Sequence, residues 1–151
     1  MFKTTRVKVT AVVLGALIIF QLIPLEKHAG QDDPSKDIIT VEQVNDEVAG
    51  ILKKACYDCH SIKTSYPWYA GVAPVSWWIV SHVNEGREHL DFSNWTDYDA
   101  KKRDHKLEEL GEEVEEGGMP LNTYLWMHEE ARLTQQERTL LIDWAKGLRG
   151  K

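Results

Sequence analysis

The sequence is poor in cysteine and has no convincing strand pattern. Only two cysteines occur in 151 residues, which excludes a disulfide-dense scaffold and a four-thiolate metal site. No stretch alternates in hydrophobicity with period two, and no internal repeat is present. The chain also lacks the low hydrophobicity of a disordered polymer, since 42% of its residues are hydrophobic. Its length suits one domain with an appendage.

An excess of positive charge is also lacking. The chain holds 18 Lys and Arg against 24 Asp and Glu. Residues 1–30 contain four of the cations and one of the acids, so the remaining residues hold 14 and 23, a formal charge of −9. A body this acidic lacks the basic footprint that nucleic-acid phosphates require, so we expect no nucleic-acid partner. A basic protein would associate with it more readily.

The amino-terminal segment has the pattern of an export signal or membrane anchor. Lys3, Arg6 and Lys8 precede an apolar run over residues 9–25, which at 17 residues is at the lower limit for crossing a bilayer. A cleavage site ending at Ala29 would place Lys27 at the −3 position, so we favour a retained anchor over a cleaved signal peptide. This predicts a signal-anchor segment at 1–30, a polar linker at 31–36 and a domain at 37–151, held on the periplasmic side of the bacterial cytoplasmic (inner) membrane.

The remainder predicts an all-α domain of four main helices. A Thr40–Gln43 capping box opens the first helix, which runs directly into Cys56. Pro74 suits the first turn of a second helix that continues towards Leu90. Thr96 or Asp97 is expected to cap a third helix, which ends at Gly117 and carries glutamates on a solvated outer face. A second capping box opens the last helix, at residues 134–137.

The residues that carry chemistry are Cys56-Tyr-Asp-Cys59-His60. This Cys-x-x-Cys-His spacing is the attachment sequence for c-type haem. Two thiols separated by two residues can form thioethers with the two vinyl groups of one porphyrin, and the adjacent His60 then becomes the proximal axial ligand of the iron. We therefore predict one covalent haem c.

Three other uses of this motif fit the sequence less well. A thioredoxin-like redox pair requires a strand–loop–helix setting, and here a helix precedes the motif. A zinc site would need a second ligand pair, and none occurs at a suitable spacing. A structural disulfide between Cys56 and Cys59 would close a very small loop and contribute little stability.

The sixth ligand must come from further along the chain. Gly117-Gly118-Met119-Pro120 lies between two predicted helices, so its thioether can reach the open haem face, and such a ligand raises the reduction potential. We predict Met119 as the distal axial ligand, although a histidine remains an alternative. The competitors are His82, Met127 and His128, whereas His105 lies on a polar helix and is expected to be solvated.

Aromatic side chains are concentrated just after the haem motif. Five of them are expected to wrap the macrocycle and exclude water, namely Tyr66, Trp68, Tyr69, Trp77 and Trp78. The alternative is that some of them belong to the core, and Trp77 and Trp78, as neighbours on a helix, must face different directions. Arg87, Asn122 and Tyr124 are candidates for contacts with the haem propionates or the Met119 sulfur.

The order of these features resembles the monohaem cytochrome c fold: a first helix, Cys-x-x-Cys-His, a Met-Pro loop and a last helix. In that fold the first and last helices cross near the haem edge, and Trp144 matches the aromatic residue of the last helix, whereas Leu52 stands where an aromatic is usual in the first. Over roughly residues 37–149 the chain is also similar to the bacterial exported haem-binding domain family, in the strings 56–61, 66–69, 72–76, 85–93 and 127–134. The resemblance implies covalent haem binding.

Two classes of function follow. The first is an electron carrier rather than an enzyme, with both axial positions of the iron filled and with unidentified redox partner proteins. The second is a haem-based ligand sensor or peroxidase-like protein, in which the sixth position is open or displaceable and His82 or His128 serves as the distal group. A weaker third hypothesis is a membrane-tethered thiol oxidoreductase without haem. We favour electron transfer.

Overall fold

The computed structural model describes residues 2–23, 27 and 30–150. Within these ranges all regular secondary structure is helical and no strand occurs, so the predicted all-α class is confirmed. The described α-helices are α1 (Phe2–Gln21), α2 (Ile38–Val41), α3 (Asp46–Ala55), α4 (Tyr57–His60), α5 (Val75–His89), α6 (Ala100–Glu116), α7 (Asn122–Leu125) and α8 (Gln135–Leu148). Short 3₁₀ turns occupy Trp68–Gly71, Trp95–Asp97 and Glu129–Ala131.

The first helix of the domain begins later than predicted. Thr40 does not cap it, because residues 38–41 form the separate short helix α2 and Gln43 then adopts a left-handed conformation with φ of 49°. The cap of α3 is Asn45, whose Oδ1 accepts a hydrogen bond from the Val48 N–H at 2.9 Å. An asparagine at this position satisfies a backbone donor that the first turn leaves free. The helix then runs into Cys56, as predicted.

The start of α6 also differs from the prediction, whereas its end does not. Asp99, rather than Thr96 or Asp97, caps the helix by accepting a hydrogen bond from the Lys102 N–H at 2.7 Å. Gly117 ends it in the left-handed conformation, with φ of 78°, which glycine adopts without steric penalty.

The last helix begins where the sequence predicts. The Thr134 hydroxyl accepts from the Glu137 N–H, and the Glu137 carboxylate accepts from the Thr134 N–H. This reciprocal capping box orients α8 as it enters the core.

The core lies where α3, α6 and α8 meet. α6 packs along α8, and α3 also contacts α8, so the first and last helices of the domain touch as expected. The contact buries Val48, Leu52, Leu141 and Ala145 completely, and Trp144 packs half-buried beside them. Since these apolar side chains leave water together, this junction supplies much of the stability of the fold.

The amino-terminal helix touches the domain through its last turn. The Phe20 ring packs edge-on against Trp77 with centroids 5.2 Å apart. The Gln21 side chain donates to the carbonyl of Gly71 and accepts from the N–H of Ala73. Among the described residues, no helix combines the length and the apolar character needed to cross a membrane. Part of the predicted anchor, residues 24–25, lies outside the described residues.

Candidate functional site

One cavity of about 690 Å³ brings the predicted cofactor residues together. Its walls come from the end of α3, from α4, α5 and α6, and from the segment 119–124. Cys56, Cys59, His60 and Met119 all lie in this lining. Cys56 and Met119 therefore line the same cavity, although they are 63 positions apart in sequence.

The backbone explains why the two cysteines and the histidine face the same space. α4 is a single helical turn, in which the N–H groups of Cys59 and His60 both donate to the carbonyl of Cys56, at 3.1 and 2.9 Å. Positions i, i+3 and i+4 lie on one side of a helical turn. Cys56, Cys59 and His60 occupy these three positions and line the cavity together.

The two residues between the cysteines hold the turn in place from its other side. The Tyr57 hydroxyl donates to Asp37 at 2.7 Å, and its ring stacks on buried Phe92. Asp58 accepts hydrogen bonds from the Tyr124 hydroxyl at 2.7 Å and from the Ser65 N–H at 2.9 Å. Burial and the bond to Asp58 raise the pKa of Tyr124, so its hydroxyl stays protonated and keeps donating.

The His60 imidazole is positioned by the end of α5. Its Nδ1 lies 2.8 Å from the carbonyl oxygen of Gly86 and 3.0 Å from that of Leu90. Because carbonyl oxygens only accept hydrogen bonds, Nδ1 carries the proton, and burial lowers the pKa of His60 so that the ring is neutral. The lone pair of Nε2 is then available to a metal, and carbonyl acceptors of this kind fix the ring orientation of metal-binding histidines.

The close approach of α5 to α4 requires glycine at position 86. A Cβ at this position would lie 2.8 Å from the backbone oxygen of Cys59 and 3.2 Å from its Cβ. The helix could not come near enough for the Gly86 carbonyl to reach His60 if a larger residue stood there. Gly86 is thus a site residue that hydrophobic periodicity did not reveal; the available signal was a glycine inside a helical pattern, a costly residue there unless packing requires it.

The chemistry of the two thiols disfavours the redox-pair hypothesis. Burial raises the pKa of the Cys56 thiol to about 12 and that of Cys59 to about 11. Catalytic dithiols have lowered pKa values, since the thiolate is their nucleophile.

Both cysteines are free thiols, and the described residues contain no group of three or more His, Cys, Asp and Glu placed to hold a metal ion. The zinc alternative therefore gains no support.

Met119 reaches the cavity because α6 ends three residues earlier, at Glu116. Gly117 terminates the helix, and the Met119 N–H then donates to the carbonyl of Glu113 at 3.1 Å, which folds the loop back onto the helix end. The side chain is half-buried in the lining. Its ligation of iron stays a prediction.

The competing ligands are placed less favourably, with one exception. Met127 is 66% exposed, and His128 stacks on the Tyr124 ring outside the lining. His105 is exposed beside Glu109, as expected. His82 does line the cavity, with its Nδ1 2.9 Å from the carbonyl of Trp78.

The aromatic residues after the motif do not wrap this cavity. We call Tyr66, Trp68, Tyr69, Trp77 and Trp78 the aromatic flank. None of the five lies in the lining: Trp77 packs against Phe20 of α1, and Trp68 is 84% exposed. The chain after His60 turns away from the cavity, since Ser61 is extended and its carbonyl accepts from Arg87 Nε at 2.7 Å. Contrary to expectation, these residues do not surround the cavity.

Other expectations about the lining need correction as well. Arg87 binds Ser61 and Thr64 and lies outside the lining, as does Asn122, whereas Tyr124 lies within it. The outer face of α6 is not simply solvated, because three of its glutamates line the cavity together with Lys106: Glu109, Glu112 and Glu113. Helical periodicity alone could not indicate this, since it does not show which polar side chains meet a neighbouring element.

Comparison with known proteins identifies the family. A family model described as a haem-binding domain matches residues 15–147. No curated protein and no solved structure matches the chain. Since the matched range covers most of the chain, the protein belongs to the haem-binding domain family, and haem is its cofactor.

Proposed function

We propose that this haem-binding domain is an exported monohaem c-type cytochrome that transfers single electrons. In this proposal Cys56 and Cys59 attach the haem covalently, and His60 and Met119 are the axial ligands. The observation that carries it is the shared cavity: two thiols, an imidazole with a free Nε2 and a thioether from a separate loop line one space.

The residues present fit this cofactor. The cavity volume of about 690 Å³ falls within the range of about 300–1,000 Å³ that is usual for sites of small molecules and cofactors. Leu90, Leu110 and Val114 contribute apolar surface to the lining, which suits a porphyrin face. The donor set of one imidazole and one thioether is that of the Met/His cytochromes.

Covalent attachment through Cys56 and Cys59 requires no oxidant or reductant. Cys56 and Cys59 would each hold the haem through one thioether, in which the sulfur bonds to one vinyl carbon and the thiol hydrogen to the other. Such an addition gains or loses no electrons, so it would need thiols rather than a disulfide and no oxidant. When bound, the haem supplies one-electron chemistry between ferric and ferrous iron.

The surrounding residues set the reduction potential of the haem and the orientation of its ligands. The Gly86 and Leu90 carbonyls hold His60, and the Tyr124–Asp58 bond ties the segment after Met119 to the motif turn. Thioether ligation favours ferrous iron, and the buried apolar walls limit water. The acidic residues Glu85, Glu112 and Glu113 line the same cavity and suit a basic redox partner.

Export is part of the proposal, with placement on the periplasmic side of the cytoplasmic membrane through residues 9–25. The support is in the sequence, where Lys3, Arg6 and Lys8 precede the apolar run. Apolar side chains of α1 are exposed, as Val9, Val12 and Leu14 illustrate.

The test of electron transfer is spectroscopy and voltammetry of the matured protein. We expect a reversible one-electron wave, a ferric sulfur-to-iron charge-transfer band and no rapid carbon monoxide binding by the ferrous form. Met119→Ala should remove the band, lower the potential and allow carbon monoxide to bind, because the sixth position opens. Met127→Ala is the matched control, since this exposed methionine lies outside the lining. Persistence of the band in Met119→Ala would exclude Met119 as the ligand.

A second function is favoured by one observation, the presence of His82 in the lining. If the wild-type ferrous protein binds carbon monoxide rapidly, the sensor or peroxidase-like function replaces the carrier. In that case His82→Ala should change the binding rate, because a histidine near the open position would contact the ligand.

A further inference from the structure

The cavity is acidic apart from one lysine. Four glutamates line it, Glu85, Glu109, Glu112 and Glu113, and Lys106 is the only Lys or Arg among the lining residues. Haem carries two carboxylates, which would repel these glutamates if nothing balanced them. A cation or hydrogen-bond donor inside the cavity would offset this repulsion for a haem carboxylate that lies there.

Lys106 is placed differently from the other lysines of α6. Its side chain is only 13% exposed, whereas Lys101 and Lys102 of the first turn are exposed. Its Nζ lies 2.6 Å from Glu109 Oε2, one turn further along the helix. An ammonium group has three N–H donors, so the bond to Glu109 leaves donors for a second carboxylate.

Neighbouring charges show that this corner of the cavity accepts a carboxylate. The hydrogen bond from Lys106 holds the pKa of Glu109 below its usual value, and His105 and His89 add smaller effects in the same direction. His89, the last residue of α5, also belongs to the lining. The corner thus stabilises one carboxylate already, and its cation comes from α6 rather than from the elements that carry the cysteines and His60.

We infer that Lys106 is the anchor of a haem propionate, a cofactor-binding residue in addition to Cys56, Cys59, His60 and Met119. The inference rests on the proposed covalent haem. Thioethers fix the vinyl side of the porphyrin, and the propionates occupy the opposite side, so a partner on a separate helix sets the rotation of the cofactor in the cavity. Lys106 donates to the propionate and to Glu109 together.

The experiment uses the full matured protein with haem labelled with carbon-13 at its carboxyl carbons, supplied as labelled aminolevulinate. Nuclear magnetic resonance follows the propionate carboxyl signals, and voltammetry gives the potential. In Lys106→Met one carboxyl signal should shift. The equilibrium should move towards ferric iron by about tenfold, about 59 mV for one electron, because a nearby cation has been removed. Lys106→Arg should stay near wild type. Lys101→Met, an exposed lysine on the same helix, should leave both readouts unchanged.

The outcomes separate this inference from the proposed function. Wild-type protein without covalent haem contradicts the proposed function. Covalent haem with identical carboxyl signals in wild type and Lys106→Met overturns the propionate contact, even if the potential falls, since a lysine acting only as a distant charge would produce that fall. If Lys106→Met loses its fold, Lys106→Gln replaces the ammonium by a shorter, neutral amide, which must change the shift of a carboxylate bound to that ammonium; carboxyl signals identical to wild type in that variant overturn the inference equally.

Discussion

The cavity and the aromatic flank occupy neighbouring stretches of the chain but contact different parts of the molecule. The motif turn at 56–60 faces α5, α6 and the Met119 loop, and all of its predicted ligands share one space. The aromatic flank begins only six residues later and stays outside the lining: Trp77 packs against α1, Trp68 is exposed, and Trp78 reaches the lining only through its contact with the His82 ring. Nearness in sequence to a cofactor motif therefore does not predict nearness to the cofactor.

The difference arises at Ser61. Its extended backbone, its buried hydroxyl bonded to the Tyr57 carbonyl, and the Arg87 bond to its carbonyl direct the chain out of the cavity. The helix α5 then returns towards the motif and presents Gly86 to Cys59. Consequently the residues of α5 that matter for the site are at its carboxyl end, and the tryptophans at its start belong to the flank.

The largest expected effect is on haem content, which should depend on the motif turn and not on the aromatic flank. Replacing Cys56 and Cys59 together by serine should abolish acid-resistant haem, because no thioether can form. Replacing Trp68 and Trp78 together by serine should leave haem content at the wild-type level, since both lie outside the lining. The pyridine haemochrome spectrum after acid-acetone extraction measures both variants. Loss of haem from the tryptophan variant would contradict the claim that the aromatic flank takes no part in holding the cofactor.

The next effect concerns the contact of α5 with the motif. Gly86→Ala should lower the free energy of unfolding by about 1–3 kcal/mol, the usual range for overpacking, and weaken haem retention, because its Cβ would meet the Cys59 carbonyl. Gly50→Ala is the matched control within another helix: nothing lies within 4 Å of its Cβ. That variant should gain about 0.5–1 kcal/mol from helix propensity. Denaturant titration measures both, and equal stabilities would contradict the close contact.

The smallest effect concerns the flank alone. Phe20→Ala removes an edge-to-face contact with Trp77 worth about 0.5–1.5 kcal/mol beyond its buried area. We expect altered tryptophan fluorescence and faster proteolysis between α1 and the domain, with an unchanged haem spectrum. A shift of the haem bands in this variant would show that the flank and the cavity are coupled.

Local signals made part of this site predictable. The motif residues Cys56, Cys59 and His60 are close in sequence, so a single helical turn places them, and Gly117 marks the loop that carries Met119. The capping box at Thr134 was predictable because both partners lie within one turn. The contacts of Gly86 with Cys59, of Asp58 with Tyr124 and of Lys106 with the cavity depend on how distant elements pack. Periodicity and spacing do not contain that information.

The same limit explains the errors at the helix starts. Asn45 and Asp99 are ordinary cap residues, but so are Thr40, Thr96 and Asp97, and the choice depends on where Gln43 and the turn at 95–97 allow the chain to bend. Several capping side chains in a row leave the first residue of a helix undetermined.

The central claim is that a haem is bound to the chain through two carbon–sulfur bonds inside this cavity. Mass spectrometry under denaturing conditions, on protein produced together with a c-type haem maturation system, tests it most directly. The account predicts a single species whose mass exceeds that of the polypeptide by one haem, and whose modified tryptic peptide contains both Cys56 and Cys59. A mass equal to that of the polypeptide alone, with both thiols open to alkylation, would contradict it.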